Sequence, residues 1–224
     1  MIPGTLCNEV LFQNQYDYFC KKYDVHIADS STHNDLKEQS NQIVNSISGD
    51  FILMGLSYGA IIAFEIMRQT PERVEKLIIL NSTHKKPQEQ TRSNFKKFLD
   101  MASNGLFPQI MPDFLLPLML YPPQLKNEKL CDEVIRMANS VGVMGFENQV
   151  NSQLDRIDST KTLEEITCPT LIIAGEHDKL CPVELHREMH GFIPSSKLEI
   201  IKECGHLSTM ECPDRVNKVI GNWI

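Results

Sequence analysis

The stretch from Asp50 to Thr70 constrains the fold more than any other part of the sequence. Its first six residues, DFILMG, form a compact apolar run that is typical of a strand covered on both faces. Its last part, AIIAFEIMRQT, is apolar almost all round and predicts a buried helix. Between them, the pattern Gly55-x-Ser57-x-Gly59 predicts a sharp turn from strand to helix. Chance produces this pattern in about one of fifteen chains of this length, so the rest of the sequence must decide its meaning.

Runs typical of strands and runs typical of helices alternate along the chain. Such alternation predicts βαβ units, and therefore an α/β fold with a mostly parallel sheet flanked by helices. A chain of 224 residues can bury one sizeable core, so one structural domain is expected. Besides Asp50–Gly55, the strand-like runs are Tyr23–Ser30, Val74–Asn81, Cys168–Asp178 and Ser196–Glu203, and the helix-like runs are Asp35–Ile47, Ala60–Thr70, Pro182–His190 and Cys212–Ile224.

Residues 85–161 break this alternation, because they contain no clear strand-like run. They are rich in Met, Leu, Phe and Pro, and a helix-like stretch covers Glu128–Ser140. This composition predicts a helical cap that is inserted after the third recognisable strand. Residues 1–84 and 162–224 would then form the core of the same structural domain.

Composition argues against several classes of protein. The net charge of −7 and the pI near 5.5 oppose nucleic-acid binding, which requires a basic face. No apolar run approaches the roughly 18 residues of a membrane span, and the N-terminus lacks the regions of a signal peptide, so no membrane partner is expected. Seven irregularly spaced cysteines without a C-x-x-C pair indicate reduced thiols and a cytoplasmic protein. The spacing of Cys204, His206 and Cys212 matches no familiar zinc site, and we predict no metal.

Three residues suited to nucleophilic catalysis follow predicted strands, in the order Ser57, Asp178, His206. The carboxyl ends of parallel strands meet at one edge of a sheet, where ligands bind. Histidine activates a serine hydroxyl by taking its proton, and a carboxylate orients the imidazole. The amide of Tyr58, at the start of the following helix, is a candidate oxyanion donor, because helix N-termini favour negative charge.

Other residues compete for these roles. The loop GEHD offers Glu176 as an alternative to Asp178, and Ser57 has the alternative interpretation of an ordinary turn residue. The histidines that compete with His206 are His177, His186 and His190. The last two lie four residues apart on one predicted helix, and we expect both at the surface.

The motifs GLSYG, GEHDKLCP and CGHLS, in this order and spacing, resemble those of serine hydrolases with the α/β-hydrolase fold. The resemblance covers nearly the whole chain, from PGTLC to the last helix, and residues 85–161 match the family's cap. It implies that Ser57 is the nucleophile, Asp178 the acid and His206 the base. It also implies that the reaction needs no cofactor.

The resemblance further implies a second oxyanion amide in the loop PGT, which stands where the family usually has His-Gly. Thr5 is the matching residue and Leu6 is the next candidate, while Pro3 replaces the histidine. Only Met1 and Ile2 precede this loop, where family members usually have an apolar strand. We therefore expect either that the N-terminal strands of the sheet are reduced or that the natural chain starts further upstream.

A serine nucleophile with an oxyanion hole implies acyl transfer to water through an acyl-Ser57 intermediate. The sequence resembles small carboxylesterases, including the type that cleaves the methyl ester of pimeloyl carrier protein, and 3-oxoadipate enol-lactonases. We predict a hydrolase acting on a carboxylic ester of a small or medium acyl substrate, with enol-lactone or thioester hydrolysis as the alternative. A non-catalytic ligand-binding protein of the same fold is the alternative from another class.

Apolar residues near the serine and in the cap are candidates for an acyl pocket. The expected substrate is a small-molecule ester, either free or bound to a carrier protein. Carrier proteins are acidic, and residues 85–161, with ten basic and nine acidic residues, are less acidic than the rest of the chain, which permits such a partner. The sequence predicts no particular oligomeric state. The candidate pocket residues are Leu6, Leu56, Phe107, Phe114 and Met144.

Overall fold

The computed structural model describes all 224 residues and contains one sheet of four parallel strands in the order β1-β2-β3-β4. The strands are β1 (Phe51–Leu56), β2 (Val74–Leu80), β3 (Thr170–Gly175) and β4 (Ser196–Ile201). The α-helices are α1 (Gln13–Phe19), α2 (Leu36–Asn45), α3 (Tyr58–Gln69), α4 (Glu89–Ser103), α5 (Phe107–Gln109), α6 (Leu116–Met119), α7 (Glu128–Leu154), α8 (Thr160–Glu164), α9 (Val183–Phe192), α10 (Ser208–Glu211) and α11 (Pro213–Trp223). Short 3-10 helices cover Glu9–Phe12, Pro71–Arg73 and Pro122–Lys126, and a π-helix covers Ile110–Leu115.

Helices cover both faces of the sheet, as the apolar strand-like runs predict. Every residue of β3 is buried, and so are the last four residues of β1 and of β2. One apolar cluster joins one face to α2, α3, α8 and α9, and a second joins the other face to α1, α11 and the helices α4 to α7. The predicted α/β class, with a parallel sheet between helices, is confirmed.

The strand register brings the loops after the four strands to one edge of the sheet. Leu56 pairs with Leu80, and Leu80 pairs with Ile173. Gly175, two residues further along β3, pairs with Ile201 at the end of β4. The residues that follow these strand ends therefore lie close together, although they come from distant parts of the sequence.

Beyond β1, the chain adds one isolated bridge to the sheet and no further strand. Ile2 forms a single parallel bridge with Gly55. Its amide donates to the Met54 carbonyl (2.8 Å), and its carbonyl accepts from the Leu56 amide (3.2 Å). These two bonds fix the start of the loop Gly4–Leu6 against β1.

The prediction of a strand over Tyr23–Ser30 is wrong, although this run is rich in β-forming residues. The segment bonds to Met1, whose amino group donates to the His26 carbonyl (2.7 Å) and whose carbonyl accepts from the Ala28 amide (2.9 Å). A β-ladder needs several consecutive pairs, and this contact is too short to form one. The helical insertion therefore follows the second strand of the sheet and not the third.

The chain between β2 and β3 forms helices and no strand. We refer to α4, α5, α6 and α7, with the turns between them, as the cap. α7 is kinked at Gly142, whose φ of 73° lies outside the helical region. Although α7 has 27 residues, neither it nor another helix is both long and apolar enough to cross a membrane.

Candidate active site

The turn after β1 presents Ser57 in a strained backbone conformation. Ser57 directly precedes α3 and has φ 55° and ψ −116°, a region that residues other than glycine rarely adopt. A side chain at Gly55 would collide with the backbone of Gly59, and one at Gly59 would collide with the Ile2 carbonyl. Close backbone approach therefore requires both glycines of the G-x-S-x-G pattern.

Asp178 and His206 form a buried hydrogen-bonded pair in the loops after β3 and β4. The His206 Nδ1–H donates to Asp178 Oδ2 at 2.8 Å. Asp178 Oδ1 accepts from the amides of Leu180 (2.9 Å) and Cys181 (2.8 Å). Burial alone would raise the pKa of Asp178, but the charge of His206 and the hydrogen bonds to the carboxylate hold this pKa below its ordinary value. The carboxylate is therefore ionised and directed at the imidazole.

Asn81, which the sequence did not single out, links the loops after β2, β3 and β4. Its Nδ2 donates to Asp178 Oδ2 (3.0 Å) and to the Gly205 carbonyl (3.1 Å). Its Oδ1 accepts from Ser208 Oγ (2.6 Å). Asn81 is fully buried and has a positive φ of 45°. The available signal was its position as the polar residue that directly follows the apolar run VEKLIIL.

Ser57 lies beside the loop that follows β2 and forms no hydrogen bond to His206. Its amide donates to the Leu80 carbonyl (2.9 Å), and its own carbonyl accepts from Ser82 Oγ (2.8 Å). The structure thus joins Asp178 and His206 directly and places Ser57 next to the segment that contacts them. Catalytic hydrogen bonds are often long in the absence of substrate, so this geometry is compatible with the three residues acting together.

The loop Gly4–Leu6 packs against the Ser57 turn. A Cβ atom at Gly4 would be 3.3 Å from the Ser57 Cβ atom. The Leu6 amide donates to Gln149 Oε1 (2.8 Å), whereas no protein acceptor bonds the amides of Thr5 and Tyr58. Leu6, the next candidate after Thr5, is therefore occupied, and the two remaining amides are free to bind a ligand.

Two glutamines of α7 hold this loop from the cap. Gln149, fully buried, also donates from Nε2 to Ser30 Oγ (3.2 Å). Gln153 Nε2 donates to Thr5 Oγ1 (2.9 Å). The sequence did not indicate either glutamine, because a polar residue on a helix does not reveal a partner that is 143 positions away, as Leu6 is from Gln149.

The structure separates Glu176 and His177 from the Asp178–His206 pair. Both side chains are exposed, and His177 Nε2 lies 3.5 Å from Glu176 Oε2. The His177 ring stacks on Tyr121. These two alternatives therefore do not occupy the positions of an acid and a base next to Ser57.

The expectation that His186 lies at the surface is wrong, whereas His190 is exposed. His186 Nε2 accepts from the Ser82 amide (3.0 Å), and its Nδ1–H donates to the Pro182 carbonyl (3.1 Å). Burial lowers the pKa of His186, so the imidazole is neutral and its Nε2 can accept. His186 therefore supports Ser82, which in turn bonds the Ser57 carbonyl.

Backbone hydrogen bonds attach the loop carrying His206 to the cap. The His206 amide donates to the Met119 carbonyl at 2.6 Å. The buried carboxylate of Glu211 accepts from the Tyr121 amide (2.7 Å) and from two amides of the histidine loop (3.1 Å each). Burial raises the pKa of Glu211 despite these three donors. The cap segment around Met119–Tyr121 is therefore fixed against the histidine loop.

The candidate pocket residues differ in their placement. Leu6, Leu56 and Phe107 are buried in the apolar cluster that joins the sheet to the cap, and Phe114 packs at its edge. Met144 is 77% exposed and lies two residues after the kink of α7. The structure therefore does not bring Met144 to an enclosed acyl pocket.

Asp178, Cys181 and His206 also bring three potential metal-ligating atoms within 4.8 Å of one another. However, Asp178 and His206 are hydrogen-bonded to each other, and burial raises the pKa of the Cys181 thiol well above its ordinary value. Metal ligands must be deprotonated and free, so both features oppose metal binding. The absence of a metal remains a prediction.

A parallel sheet whose strand-to-helix turn exposes a serine between two glycines is the arrangement of the α/β-hydrolase fold. Comparison with known proteins gives the same class. The chain belongs to the hydrolase family described as serine aminopeptidase, S33, whose family model matches residues 14–213. The resemblance stated from the motifs is thereby confirmed.

The individual proteins that resemble this chain share less than 30% sequence identity with it. A Bacillus subtilis (strain 168) protein, provisionally named 2-succinyl-6-hydroxy-2,4-cyclohexadiene-1-carboxylate synthase, is 28% identical over 190 residues, which span 77% of this chain and 65% of that protein. The structure of a thermophilic esterase from Thermogutta terrifontis with malate bound has a TM-score of 0.89 at 21% identity, covering 99% of this chain and 87% of that one. The enol-lactonase from Burkholderia xenovorans LB400 has a TM-score of 0.87 at 14% identity, covering 99% and 89%. The structural similarities establish the fold.

Proposed function

We propose that this protein is a serine hydrolase that cleaves a carboxylic ester of a small or medium acyl substrate. The observation that supports this most directly is the strained Ser57 turn beside the buried Asp178–His206 pair. In this proposal Ser57 is the nucleophile, His206 is the general base and acid, and Asp178 orients the imidazole and stabilises its charged form.

The reaction begins when His206 Nε2 accepts the proton of the Ser57 hydroxyl, while Nδ1–H stays hydrogen-bonded to Asp178. The serine oxygen attacks the ester carbonyl carbon, and the tetrahedral intermediate expels the alcohol, which receives the proton from His206. Water then attacks the acyl-Ser57 ester and transfers a proton to His206. Collapse of the second intermediate releases the carboxylic acid and restores the serine hydroxyl.

The amides of Thr5 and Tyr58 are the proposed donors to the developing oxyanion. Both are free of protein acceptors, and Tyr58 begins α3, so the helix dipole adds to its effect. We prefer Thr5 to Leu6 because the Leu6 amide already donates to Gln149. An oxyanion hole requires two donors that point at the same oxygen, and these two amides belong to the two segments that meet at Ser57.

Ester or lactone cleavage is also supported by the esterase and the enol-lactonase that share this fold. A lactone is a cyclic ester, so the same residues would open it, with the alcohol retained in the acyl-enzyme. Enol-lactone hydrolysis is therefore the second candidate function. Thioester hydrolysis would follow the same steps with a thiol as leaving group.

Labelling with a fluorophosphonate probe tests the nucleophile. We expect wild type to be labelled, Ser57→Ala not to be labelled, and the exposed control Ser93→Ala to be labelled as wild type, with circular dichroism confirming that all three are folded. Folded wild type that labels no better than Ser57→Ala would contradict the proposal. That result would favour a non-catalytic ligand-binding protein.

A substrate panel then tests the bond that is cleaved. It consists of p-nitrophenyl esters of rising chain length, an enol-lactone and a carrier-bound methyl ester. We expect turnover of a short or medium p-nitrophenyl ester that depends on Ser57. Exclusive turnover of the lactone would support the second candidate, and no turnover of any compound would contradict ester hydrolysis.

A further inference from the structure

Asn81 is a fully buried polar residue that takes no part in the steps of the proposed reaction. It directly follows β2, and its backbone amide donates to the Ile173 carbonyl of β3 (2.9 Å). Its φ of 45° lies in the left-handed region, which asparagine tolerates better than most residues with a Cβ atom. Asparagine meets two demands at this position, because it combines that backbone conformation with a side chain that both donates and accepts.

The side chain of Asn81 bonds only to the segments that carry Asp178 and His206. Its Nδ2 donates to Asp178 Oδ2 (3.0 Å) and to the Gly205 carbonyl (3.1 Å), which belongs to the peptide bond before His206. Because both of these partners can only accept, they determine which end of the amide carries the N–H groups. The Oδ1 atom then accepts from Ser208 Oγ (2.6 Å), two residues after the histidine.

These bonds complete the surroundings of the Asp178 carboxylate. Its Oδ1 accepts from the amides of Leu180 (2.9 Å) and Cys181 (2.8 Å). Its Oδ2 accepts from Asn81 Nδ2 (3.0 Å) and from His206 Nδ1 (2.8 Å). A carboxylate has about four lone-pair sites, so the protein uses all of them. The carboxylate can turn away from the imidazole only by breaking its bonds to Asn81 and to the two amides.

We propose that Asn81 is a positioning residue that holds the Asp178 carboxylate and the backbone before His206 in one fixed relation. The inference rests on the proposed function, and it gives the loop after β2 a role in the activation of Ser57. Asn81 acts on Asp178 directly and on His206 through the Gly205 carbonyl, so its removal releases both partners of the Asp178–His206 bond. The imidazole then moves relative to the Ser57 hydroxyl, and a displacement of about 1 Å costs roughly 10²-fold in rate.

Asn81→Gly tests this role, because glycine adopts the same φ without strain and lacks the side chain. We expect kcat on the preferred p-nitrophenyl ester to fall by about 10–10²-fold while KM changes less than about twofold, because Asn81 acts through other residues. Glu203→Gly is the matched control and should keep wild-type kcat, since Glu203 has a φ of 52° in the loop after β4 and an exposed side chain. Ser208→Ala removes only the hydroxyl that orients the Asn81 amide, and it should lower kcat by about two- to tenfold.

Proton NMR of ¹⁵N-labelled protein provides a second measurement that needs no turnover. An imidazole Nδ1–H that is hydrogen-bonded to a carboxylate gives a signal far downfield of the backbone amides. The loss of this signal in His206→Gln would identify it. We expect the signal in wild type and in Glu203→Gly, whereas in Asn81→Gly it should shift or disappear, because the bond to Asp178 is no longer fixed.

Circular dichroism and urea unfolding show which variants are folded. A signal that is absent from wild type or unchanged in folded Asn81→Gly would overturn the proposal, and so would wild-type kcat in this variant, because Asn81 would then only stabilise the loops. If Asn81→Gly does not fold, the same two measurements on Ser208→Ala decide in the same way. If wild type cleaves no ester, the proposed function fails, and the NMR signal alone decides whether Asn81 positions the pair.

Discussion

The Ser57 turn and the neighbouring loop Gly4–Leu6 are held in place by different parts of the chain. The Ser57 turn continues from β1, bonds Leu80 of the neighbouring strand β2 and requires glycines at close backbone contacts. The loop Gly4–Leu6 has only the Ile2 bridge before it, and its middle is held by side chains of the cap. The sheet thus supports one proposed oxyanion donor, while a helix supports the other.

This difference shows how a helix can fix a loop that a single bridge joins to the sheet. Where a longer strand would provide a ladder of backbone bonds, Gln149 provides a buried amide that accepts from the Leu6 N–H and donates to Ser30. A buried side-chain amide with each group paired is rigid, since an unmade bond there is costly. The position of the Thr5 amide consequently depends on the position of α7.

We expect the largest loss of activity at Asp178, in the loop that follows strand β3. Asp178→Asn should lower kcat by about 10⁴-fold, because the imidazole loses the carboxylate that selects its tautomer and stabilises its charge. The exposed neighbour provides the control, so Glu176→Gln should retain wild-type kcat. Steady-state kinetics on the preferred ester measures both. A loss below tenfold in Asp178→Asn would remove this residue from the proposed mechanism.

We expect the next largest loss of activity at Gln149, through which α7 supports the loop Gly4–Leu6. Gln149→Met should lower kcat by up to about 10²–10³-fold, the cost of one misplaced oxyanion donor, and should lower the free energy of unfolding by about 1–3 kcal/mol. Gln90→Met, at an exposed glutamine of α4, is the matched control and should alter neither. Unchanged kcat in a destabilised Gln149→Met would show that the loop keeps its position without this side chain.

The two supports also differ in how their contribution to stability responds to pH. His186, which supports the Ser57 turn through Ser82, titrates, whereas Gln149, which supports the loop Gly4–Leu6, does not. Burial holds the pKa of His186 below its unfolded value, so the unfolded chain binds more protons as pH falls below about 6.5. The associated stability is complete above that pH and is lost on acidification, with a slope of at most about 1.4 kcal/mol per pH unit. Urea unfolding between pH 5 and 8 should show a smaller slope in His186→Gln than in wild type or in the exposed control His190→Gln. Equal slopes in all three proteins would contradict this prediction.

The smallest effect concerns the contact between Gln153 and the Thr5 hydroxyl. Gln153→Leu and Thr5→Val remove the two partners of one hydrogen bond. The double variant should therefore lose less free energy of unfolding than the two single variants together, by about 0.5–1.5 kcal/mol. Urea unfolding of the four proteins gives this coupling energy. Strict additivity would mean that the contact does not hold the loop.

Local patterns predicted those parts of the site that lie directly after strands. Ser57, Asp178 and His206 each follow an apolar run, and the parallel register brings such positions together regardless of sequence distance. Asn81 satisfies the same rule but was not singled out, because an amide has no obvious role in acyl transfer. The structure gives both glycines of this turn a physical reason, the close approach of two backbone segments.

The remainder of the site depends on contacts that no local pattern describes. Gln149 lies on a helix where a glutamine is equally compatible with solvent, and only the packing of α7 over the first loop buries it. His186 has the spacing of a surface residue, but the Ser82 amide needs an acceptor at that place. Tyr23–Ser30 has strand-like composition but lacks a partner long enough for a ladder, which composition alone does not report.

The contact between the histidine loop and the cap limits how this protein can be redesigned. A side chain at Gly205 would collide with the backbone around Met119 and Tyr121, and the His206 amide donates to Met119. An exchange of the whole cap for one of another shape would therefore displace the histidine. Variation that alters substrate range without loss of activity is expected in α4 and in the exposed turns of the cap, with the backbone of Met119–Tyr121 retained as part of the hydrolytic core.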